Sequence, residues 1–267
     1  MRLEKSWCAK YGEKMLETII KISQESCNKI LEVYNTDFSF ESKDDNSPLT
    51  LADTASNEII VNGLKENYPD IPILSEEGQK DVPKNAEYCW VFDPLDGTKE
   101  FISRNGQFTV NIALIQNQRP ILGVIAVPVT GVVFFASKGN GAFKQENGIT
   151  TAIHVSDKKS DLIWVGSKSH SSEKEENLIR QKSHLIKTTI QAGSSLKGTM
   201  VAEGKADVYY RFGLTCEWDT CAMHCIAEEA GGIFRQMDGT EMLYNRDEPL
   251  NKKGFFIVNC EENVWSI

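Results

Sequence analysis

Apolar residues recur every three or four positions from about Trp7 to Tyr34, which predicts a long amphipathic helix. A polar loop follows this stretch. Thr50 is then predicted to be the N-cap of a second helix, which has Asp53 in its first turn and ends before Pro69. We therefore expect two helices ahead of any sheet.

Between the second helix and residue 155, short apolar runs alternate with Gly and Asn turns, a pattern typical of strands joined by tight connections. The predicted strands run from Ile71 to Leu74, Cys89 to Phe92, Phe108 to Ile115, Ile121 to Val127, Val132 to Ala136 and Ala142 to Lys144. Consecutive strands after two helices predict an antiparallel-rich sheet, and we interpret residues 1–154 as an N-terminal α+β half.

Past residue 155 the predicted strands and helices alternate. They are a strand from Leu162 to Gly166, a helix near Glu173 to Lys182, a strand from Ile186 to Ile190, a helix near Ser194 to Glu203, a strand from Asp207 to Tyr210 and a helix from Asp219 to Ala230. This order predicts that residues 155–267 form a C-terminal α/β half whose sheet is covered on both faces.

Composition narrows the class of protein. The chain has 267 residues, 40% of them apolar, which is enough for one large domain or two medium ones. A net charge of −9 argues against non-specific nucleic-acid binding, which depends on basic patches. The apolar run from Pro120 to Ala136 is interrupted by Pro and Gly, so it predicts two strands and no transmembrane segment. The polar first residues show no signal peptide, and we expect a cytoplasmic protein.

The seven cysteines do not form a zinc-binding pattern. Cys221 and Cys225 lie four residues apart beside His224, but no second Cys or His pair at zinc-ligand spacing accompanies them. We interpret the cysteines as small buried apolar residues in a reducing compartment.

The sequence DPLDGT, from Asp93 to Thr98, follows an apolar run that predicts a buried strand ending at Phe92. Its two carboxylates lie three residues apart on a turn shaped by Pro94 and Gly97. Such carboxylates can converge on hard divalent cations, and the turn leaves backbone N–H groups free for an anion. The motif therefore predicts a site for metal and phosphate.

Further acidic residues stand at the ends of predicted elements. Glu76 and Glu77 follow an apolar strand, and Asp219 opens a helix after Trp218, although glutamates in turns are usually only solvated. Oxygen ligands without paired His or Cys suit Mg²⁺ or Mn²⁺ rather than zinc. Three or four carboxylates can hold two cations that stabilise the attacking and leaving oxygens at phosphorus.

Four motifs carry a family resemblance: TLAD at 50–53, LSEEG at 74–78, DPLDGTKEF at 93–101 and WDTCAMHCIAEEAGG at 218–232. Together they resemble the lithium-sensitive, magnesium-dependent phosphatase superfamily that includes inositol monophosphatases and fructose-1,6-bisphosphatases. DGTKEFISRNGQFTVNIALI, GSSLK at 193–197 and VAEGKADVYYRFG at 201–213 are similar to bacterial 3′(2′),5′-bisphosphate nucleotidases of the CysQ type. The resemblance implies a layered αβαβα sandwich that combines α+β and α/β features.

The resemblance also implies a set of metal ligands. Glu76, Asp93 and the carbonyl of Leu95 would hold one Mg²⁺, and Asp93, Asp96 and Asp219 a second. A third, looser Mg²⁺ near Glu76 occurs in some family members.

Catalytic roles are implied in the same way. Asp53 and Thr98 would orient the nucleophilic water, with Glu76 as an alternative proton acceptor, and the backbone of Gly97 and Thr98 would receive the scissile phosphate. From the residues alone, Asp53 is a surface acid favoured by the helix dipole. We expect hydrolysis by attack of an activated water, without a covalent enzyme intermediate.

Residues outside the metal ligands are expected to select the substrate. Phe212 lies seven residues before Asp219, where inositol-specific members place a Glu, and its ring suits a nucleobase. Lys197, Ser194 and Arg211 can bind the 5′-phosphate of adenosine 3′,5′-bisphosphate (PAP).

His170 matches a nucleotide-contacting position, and the substrate is also expected to touch Leu95, Asp96, Gly97, Thr98 and Asp219. Each substrate contact has a plainer alternative, in which Lys197 is on an exposed helix face, Arg211 pairs with a surface acid and His170 caps a turn. Glu217 can repel a second phosphate or simply face solvent.

The expected function is Mg²⁺-dependent hydrolysis of PAP to AMP and phosphate, by a monomer or a homodimer that binds no nucleic acid. An inositol monophosphatase or broad sugar and polyol phosphatase would share every metal ligand. A regulatory, RNA-associated relative with incidental catalysis is a further alternative. Peripheral attachment to the inner face of the membrane, as in some relatives, is open.

Overall fold

The computed structural model describes residues 4–36, 48–78, 82–84, 86–167 and 172–266, with side chains described outside 4–13 and 48–50. The helices are α1 (Glu4–Tyr34), α2 (Pro48–Asn67), α3 (Thr98–Ile102), α4 (Glu173–Gln181), α5 (Leu196–Ala202) and α6 (Glu217–Glu229), and a 3₁₀ turn spans Glu261–Asn263. The strands are β1 (Ile73–Ser75), β2 (Tyr88–Asp96), β3 (Thr109–Gln116), β4 (Arg119–Val127), β5 (Val132–Ser137), β6 (Ala142–Glu146), β7 (Ile149–Ile153), β8 (Leu162–Ser167), β9 (Ile186–Ala192), β10 (Val208–Arg211), β11 (Ile233–Gln236) and β12 (Phe255–Val258).

The first sheet has seven strands in the order β1-β2-β3-β4-β5-β6-β7. β1 is parallel to β2, and the other neighbours are antiparallel. Because side chains alternate between the two faces of a strand, Trp90 and Phe92 belong to one core cluster, whereas Cys89 and Val91 belong to the other. The central strands are buried on both faces, which explains their nearly continuous apolar sequences.

The second sheet has five strands in the order β11-β12-β10-β8-β9. β8, β9 and β10 are parallel, and β12 and β11 are added antiparallel at one edge. On one face, Trp164 and Tyr210 pack with Leu178 of α4 and Trp265. The other face contributes Tyr209 and Ile257 to a core shared with α6.

The elements stack in five layers. α1 and α2 contact the first sheet on one side, and α6 contacts β2, β3, β4 and β5 on the other. α5 packs on α6 and also contacts β8, β10 and β12, while α4 covers the far face of the second sheet. The expected αβαβα sandwich is therefore the observed architecture. The division into halves at residue 155 stays a prediction, and the middle core includes residues of both halves.

A row of small residues lets α6 approach the first sheet closely. Ala113, Gly123 and Ala136 are neighbours across β3, β4 and β5, and all three lie under the helix. A Cβ added to Gly123 would lie 2.5 Å from the carbonyl oxygen of Ala222 and 3.0 Å from Cβ of Cys225. The distance between α6 and the sheet therefore depends on the missing side chain at Gly123.

Several local predictions were wrong. Helix α2 begins at Pro48, so Thr50 is not its N-cap and Asp53 is not in its first turn. Our prediction ended the β2 strand at Phe92, whereas it continues to Asp96. We did not predict β7, which is mostly exposed, or β11 and β12, whose four-residue runs become strands through pairing with distant parts of the chain.

The described cysteine side chains are all unpaired: Cys27, Cys89, Cys216, Cys221, Cys225 and Cys260. Four of them are buried, as expected for small apolar residues, while Cys216 and Cys260 are partly exposed. Among the helices of the described ranges, none has the length and apolarity that a membrane span requires.

We expect Gly123→Val to destabilise the protein. Strand propensity alone predicts the opposite, since valine is favoured in strands and glycine is not. The overpacking against Ala222 should nevertheless lower the free energy of unfolding by about 1–3 kcal/mol. Urea denaturation followed by circular dichroism measures the change, and a stabilised variant would contradict the close packing of α6 on β4.

Candidate active site

A bulge in β2 aims its two acidic residues. β2 pairs with β3 through Asp93 opposite Asn111 and Asp96 opposite Thr109, and the register shifts between these pairs. Three residues along β2 therefore span the same distance as two along β3. Within the bulge, Pro94 of β2 has no N–H to donate to β3. Because of this bulge, β2 continues through the DPLD sequence, and the side chains after the bulge change direction.

The bulge is held from two sides. The backbone N–H of Leu95 donates to Oδ1 of Asp93 at 2.9 Å. The hydroxyl of Ser56, in α2, donates to the carbonyl oxygen of Pro94 at 2.7 Å. The backbone of the bulge is therefore fixed, and the Asp93 side chain is buried on the face of the sheet that α6 covers.

Helix α6 brings Asp219 to the same place. Asp219 is the third residue of α6, and its Oδ2 accepts a hydrogen bond of 2.8 Å from the N–H of Cys216, the residue that precedes the helix. This contact orients the carboxylate at a helix N-terminus, where negative charge is favoured.

Three acidic residues converge in the structure. Glu76 follows β1, which lies parallel to β2, so its side chain stands beside Asp93 at the same end of the sheet. Glu76, Asp93 and Asp219 each offer one carboxylate oxygen, and these three atoms lie within 4.8 Å of one another. Oxygen donors at this spacing fit a hard divalent cation such as Mg²⁺ or Mn²⁺.

The electrostatics of this acidic cluster, formed by Glu76, Asp93 and Asp219, also favour a bound cation. Burial, followed by the charges of Glu76, Asp96 and Asp219, raises the pKa of Asp93 well above its ordinary value. Burial and the charge of Asp96 likewise raise the pKa of Asp219. Carboxylates that repel one another in a buried place are stabilised by a cation between them. The residues present therefore fit a divalent metal ion.

Asp96 lies beside the acidic cluster and is held by donors from the turn before α5 and from β3. Its Oδ2 accepts from the hydroxyl of Ser194 at 2.6 Å, from the N–H and the hydroxyl of Ser195, each at 2.9 Å, and from Nδ2 of Asn111 at 3.2 Å. Because these donors engage Oδ2, the other carboxylate oxygen is the one left for a cation. The role of Asp96 as a ligand stays a prediction.

The three remaining residues of the implied catalytic set lie close by in the fold. Helix α2, which carries Asp53, packs against β2 and α3. Thr98 is the first residue of α3, and Gly97 precedes it with a φ of 101° that favours glycine. A Cβ at Gly97 would also approach Phe108 and Ser194 at 3.2 Å. Glycine is thus required both by the backbone conformation and by the space around it.

One pocket of about 390 Å³ adjoins these residues. Its lining includes Asp96, Gly97, Thr98, Lys99, Glu100, Ser167, Ser194, Ser195, Lys197, Tyr209, Arg211, Leu214, Thr215, Asp219, Thr220, Met223 and Phe255. Acidic residues and two buried cations therefore face a single space large enough for a small molecule.

Lys197 is a buried cation in this pocket. Its Nζ donates to the carbonyl oxygen of Ser194 at 2.6 Å and lies 5.6 Å from the ring centre of Tyr209. Burial lowers the pKa of Lys197 to about 8, helped by the charge of Arg211 and opposed by that of Asp96. The expectation of an exposed helix face is therefore wrong, since Lys197 is only 7% exposed.

Arg211, at the end of β10, is also buried. Its guanidinium lies over Gly213, where an added Cβ would be 2.9 Å from Cζ. Its charge opposes the rise in the pKa of Glu175 that burial causes. Arg211 therefore stands near a buried acid and a glycine, and not at the protein surface.

The structure changes the interpretation of two predicted substrate contacts. The hydroxyl of Ser194 is directed at Asp96 and at the hydroxyl of Thr109, 2.6 Å away. Phe212 packs with the cluster of Trp164 and Leu178 and lines a different pocket. His170 lies outside the described residues.

Glu217 neither faces solvent nor points at a phosphate site, so both expectations for it were wrong. It is fully buried, and its carboxylate accepts from the N–H of Asn245 at 2.5 Å and from the N–H of Arg246 at 2.8 Å. Nε of Arg246 donates to the same group at 3.1 Å. Glu217 therefore holds the chain at Asn245 and Arg246 against the start of α6.

Sequence reasoning missed the residues that orient Asp96. Ser195 and Asn111 are buried and hydrogen-bonded to each other at 2.9 Å, between Nδ2 of Asn111 and Oγ of Ser195. The signal was a polar residue, Asn111, in the middle of the apolar strand FTVNIALI. A buried amide of this kind requires polar partners.

The layered fold and the acidic cluster define a class of protein, and comparison with known sequences gives the same class. The sequence model of the inositol monophosphatase family matches residues 12–258. The chain therefore belongs to the inositol monophosphatase family.

Individual relatives are similar over nearly the whole chain. The chain is 41% identical over 248 residues to the 3′(2′),5′-bisphosphate nucleotidase CysQ of Salmonella typhimurium, covering 91% of this chain and 99% of that protein. It is 41% identical to CysQ of Escherichia coli K12 over 245 residues, 90% of this chain and 98% of the relative.

Solved structures agree with this likeness. The crystal structure of CysQ from Bacteroides thetaiotaomicron is 39% identical, with a TM-score of 0.85 over 94% of this chain and 99% of that one. An inositol monophosphatase from Zymomonas mobilis shares the fold at 23% identity, with a TM-score of 0.80 over 96% of each chain.

We expect Asp93→Asn to stabilise the metal-free protein and to remove its stabilisation by metal. Asparagine keeps the Oδ1 acceptor for Leu95 but removes one charge from the acidic cluster. The melting temperature in chelator should rise by about 3 °C or more, since 1 kcal/mol shifts a chain of this size by about 2–4 °C. Thermal denaturation in chelator and in Mg²⁺ measures both effects.

Asp238→Asn is the matched control, because Asp238 pairs with Lys253 at the protein surface, 2.5 Å away. This variant should keep the full shift on adding Mg²⁺. If Asp93→Asn were still stabilised by Mg²⁺ as strongly as the wild type, Asp93 would not be a ligand.

Proposed function

We propose that this protein is a Mg²⁺-dependent phosphomonoesterase that hydrolyses PAP to AMP and phosphate. The observation that carries the proposal is a single pocket that joins an acidic, metal-binding edge, at Asp96 and Asp219, to two buried cations, Lys197 and Arg211. Such a pocket can hold one phosphate at the metal site and a second phosphate at the cations.

The two cations favour a second anion. Burial is the main cause of the lowered pKa of Lys197, and the nearby charge of Arg211 lowers it further. Two like charges buried together are costly unless a bound anion compensates them. In a chain with a net charge of −9, two buried cations that line one pocket favour an anionic ligand.

The rim of the pocket favours a nucleoside over a polyol. Leu214 is 62% exposed and lines the pocket, so it presents apolar surface next to Thr215 and Arg211. A nucleobase can cover such a surface, whereas inositol carries a hydroxyl at every carbon. Leu214 thus replaces Phe212 as the candidate for contact with the base.

The relatives support the same substrate. The CysQ proteins of Salmonella typhimurium and Escherichia coli are named 3′(2′),5′-bisphosphate nucleotidases, and the chain covers at least 98% of each of them. A relative of this similarity and coverage makes a bisphosphate nucleotidase the leading hypothesis for this chain.

The acidic residues would hold the metal as the sequence predicts. Glu76, Asp93 and the carbonyl of Leu95 would bind one Mg²⁺, and Asp93, Asp96 and Asp219 a second, with a looser third near Glu76. Bound Mg²⁺ lowers the pKa of water and stabilises negative charge on phosphate oxygens.

The protein's own groups would guide the proton and the phosphate. Thr98, with Asp53 or Glu76, accepts the proton of the attacking water, and the backbone N–H groups of Gly97 and Thr98 donate to the phosphate. The oxygen of water bonds to phosphorus as the bond from phosphorus to the ribose 3′-oxygen breaks. That oxygen then takes up a proton, which gives AMP.

A rate comparison tests the function. We expect kcat/KM for PAP to exceed that for inositol 1-phosphate and for fructose 1,6-bisphosphate by at least about a hundredfold, since two lost phosphate or base contacts of about 1.5–3 kcal/mol each give at least this factor. Phosphate release should require Mg²⁺ and stop in chelator. Equal rates for inositol 1-phosphate would favour the alternative of a broad polyol phosphatase.

The small-molecule substrate also predicts that the protein binds no RNA. An electrophoretic shift with RNA at physiological salt would favour the alternative of an RNA-associated relative. Whether the protein acts as a monomer or a homodimer, and whether it attaches to the inner face of the membrane, stay open within the proposal.

We expect Lys197→Met to weaken binding of PAP selectively. Methionine keeps the length and burial of the side chain but loses the charge. KM for PAP should rise about tenfold or more, because a charge-assisted hydrogen bond worth about 1.5–3 kcal/mol is lost. KM for adenosine 3′-phosphate, which lacks the 5′-phosphate, should change little.

Steady-state kinetics with both substrates measures this selectivity. Lys205→Met removes an exposed lysine that pairs with Glu203 at 3.0 Å, and it should leave both KM values unchanged. Equal losses for both substrates in Lys197→Met would contradict a 5′-phosphate site at Lys197.

A further inference from the structure

The chain segment 244–251 passes across the N-terminal end of α6. At its start, the backbone N–H groups of Asn245 and Arg246 donate to the buried carboxylate of Glu217, the first residue of the helix. The guanidinium of Arg246 completes the contact, with Nε 3.1 Å from Oε1 of Glu217. The acid is fully buried, and the Arg246 side chain is 25% exposed.

Asn251, at the end of the segment, reaches the same turn from the other side. Its Oδ1 accepts from Nη2 of Arg246 at 2.5 Å. Its Nδ2 donates to the carbonyl oxygen of Cys216 and to the hydroxyl of Thr215, each at 2.9 Å. Arg246 and Asn251 therefore link Glu217 to the residues that lead into the helix.

These contacts reach the acidic cluster through one residue, Cys216. The N–H of Cys216 donates to Asp219, and the carbonyl of the same residue accepts from Asn251. Thr215 and Asp219 both line the pocket. The backbone of Cys216 thus transmits the position of Asn251 to the carboxylate of Asp219.

The same segment also contacts residues 82–84. Nδ2 of Asn245 donates to the carbonyl oxygen of Pro83 at 2.9 Å, and Nζ of Lys84 donates to the carbonyl oxygen of Arg246 at 2.6 Å. These contacts fix the segment against the N-terminal part of the chain as well as against α6.

We propose that Glu217, Arg246 and Asn251 form a hydrogen-bonded clamp that positions Asp219 for metal binding. The inference rests on the ligand role of Asp219 in the proposed function. Loss of a group that hydrogen-bonds directly to a metal ligand typically weakens metal binding about 10–100-fold. The clamp acts through such a group, the N–H of Cys216, so we expect an effect at the lower end of this range. Within the clamp, Arg246 is the central member, because it contacts both Glu217 and Asn251.

Arg246→Met is the variant that tests the clamp, with Mn²⁺ as the metal probe. We expect the dissociation constant for Mn²⁺, measured by calorimetry without substrate, to rise at least about tenfold. The metal concentration that gives half-maximal phosphate release should rise in parallel, while kcat at saturating metal recovers most of its value. Arg246→Lys keeps the positive charge but loses the paired N–H donors of the guanidinium. Its dissociation constant for Mn²⁺ should lie between those of Arg246→Met and the wild type.

Lys252→Met is the matched control. Lys252 belongs to the same chain region, and its pair with Glu248, 2.8 Å apart, is exposed on both sides. The control removes one cation and one ion pair, as Arg246→Met does, but it should bind Mn²⁺ like the wild type.

The outcomes separate the two proposals. If the wild type does not bind Mn²⁺, the metal site of the proposed function fails. If the wild type binds Mn²⁺ and a folded Arg246→Met binds it equally well, the clamp is overturned. If Arg246→Met does not fold, Arg246→Lys decides, and an unchanged Mn²⁺ affinity in that variant overturns the clamp as well.

Discussion

Repulsion among the carboxylates of Asp93, Asp96 and Asp219 is the constraint on which the rest of the site depends. Asp93 and Asp219 lie where burial already disfavours charge, so the three groups must be held in place by other parts of the fold. The bulge in β2, the N-terminal turn of α6 and the donors around Asp96 each fix one of them. The sheet and the helix thereby maintain an arrangement that the side chains alone would not adopt, and that a divalent cation stabilises.

Much of this could be predicted from the sequence, because the signals are local. The periodicity of three and four residues located α1, and the apolar runs located most of the strands of the first sheet. Glu76, Asp93 and Asp219 were recognised as candidates because each stands where an element begins or ends. Their convergence follows from the parallel pairing of β1 with β2 and from the packing of α6 across the sheet.

The rest depends on contacts between distant residues. Asp96 and Ser195 are 99 positions apart, and nothing near either one indicates the hydrogen bond between them. The position of Phe212 away from the pocket has a simpler reason. Along β10, Tyr209 faces α5 and α6, whereas Tyr210 faces α4. Alternation therefore places Arg211 towards the pocket and Phe212 away from it, and a count back from Asp219 does not show which face a residue takes.

The position of helix α6 between the two sheets affects how the site can open to admit a ligand. In sequence it lies among the strands of the second sheet, yet it packs on the first sheet, where Ala113, Gly123 and Ala136 allow its close approach. The two sheets cannot swing apart as rigid bodies without exposing the core between them to water. Movement of the loops around the rim avoids this cost, so induced fit through these loops is favoured over bending of one sheet against the other.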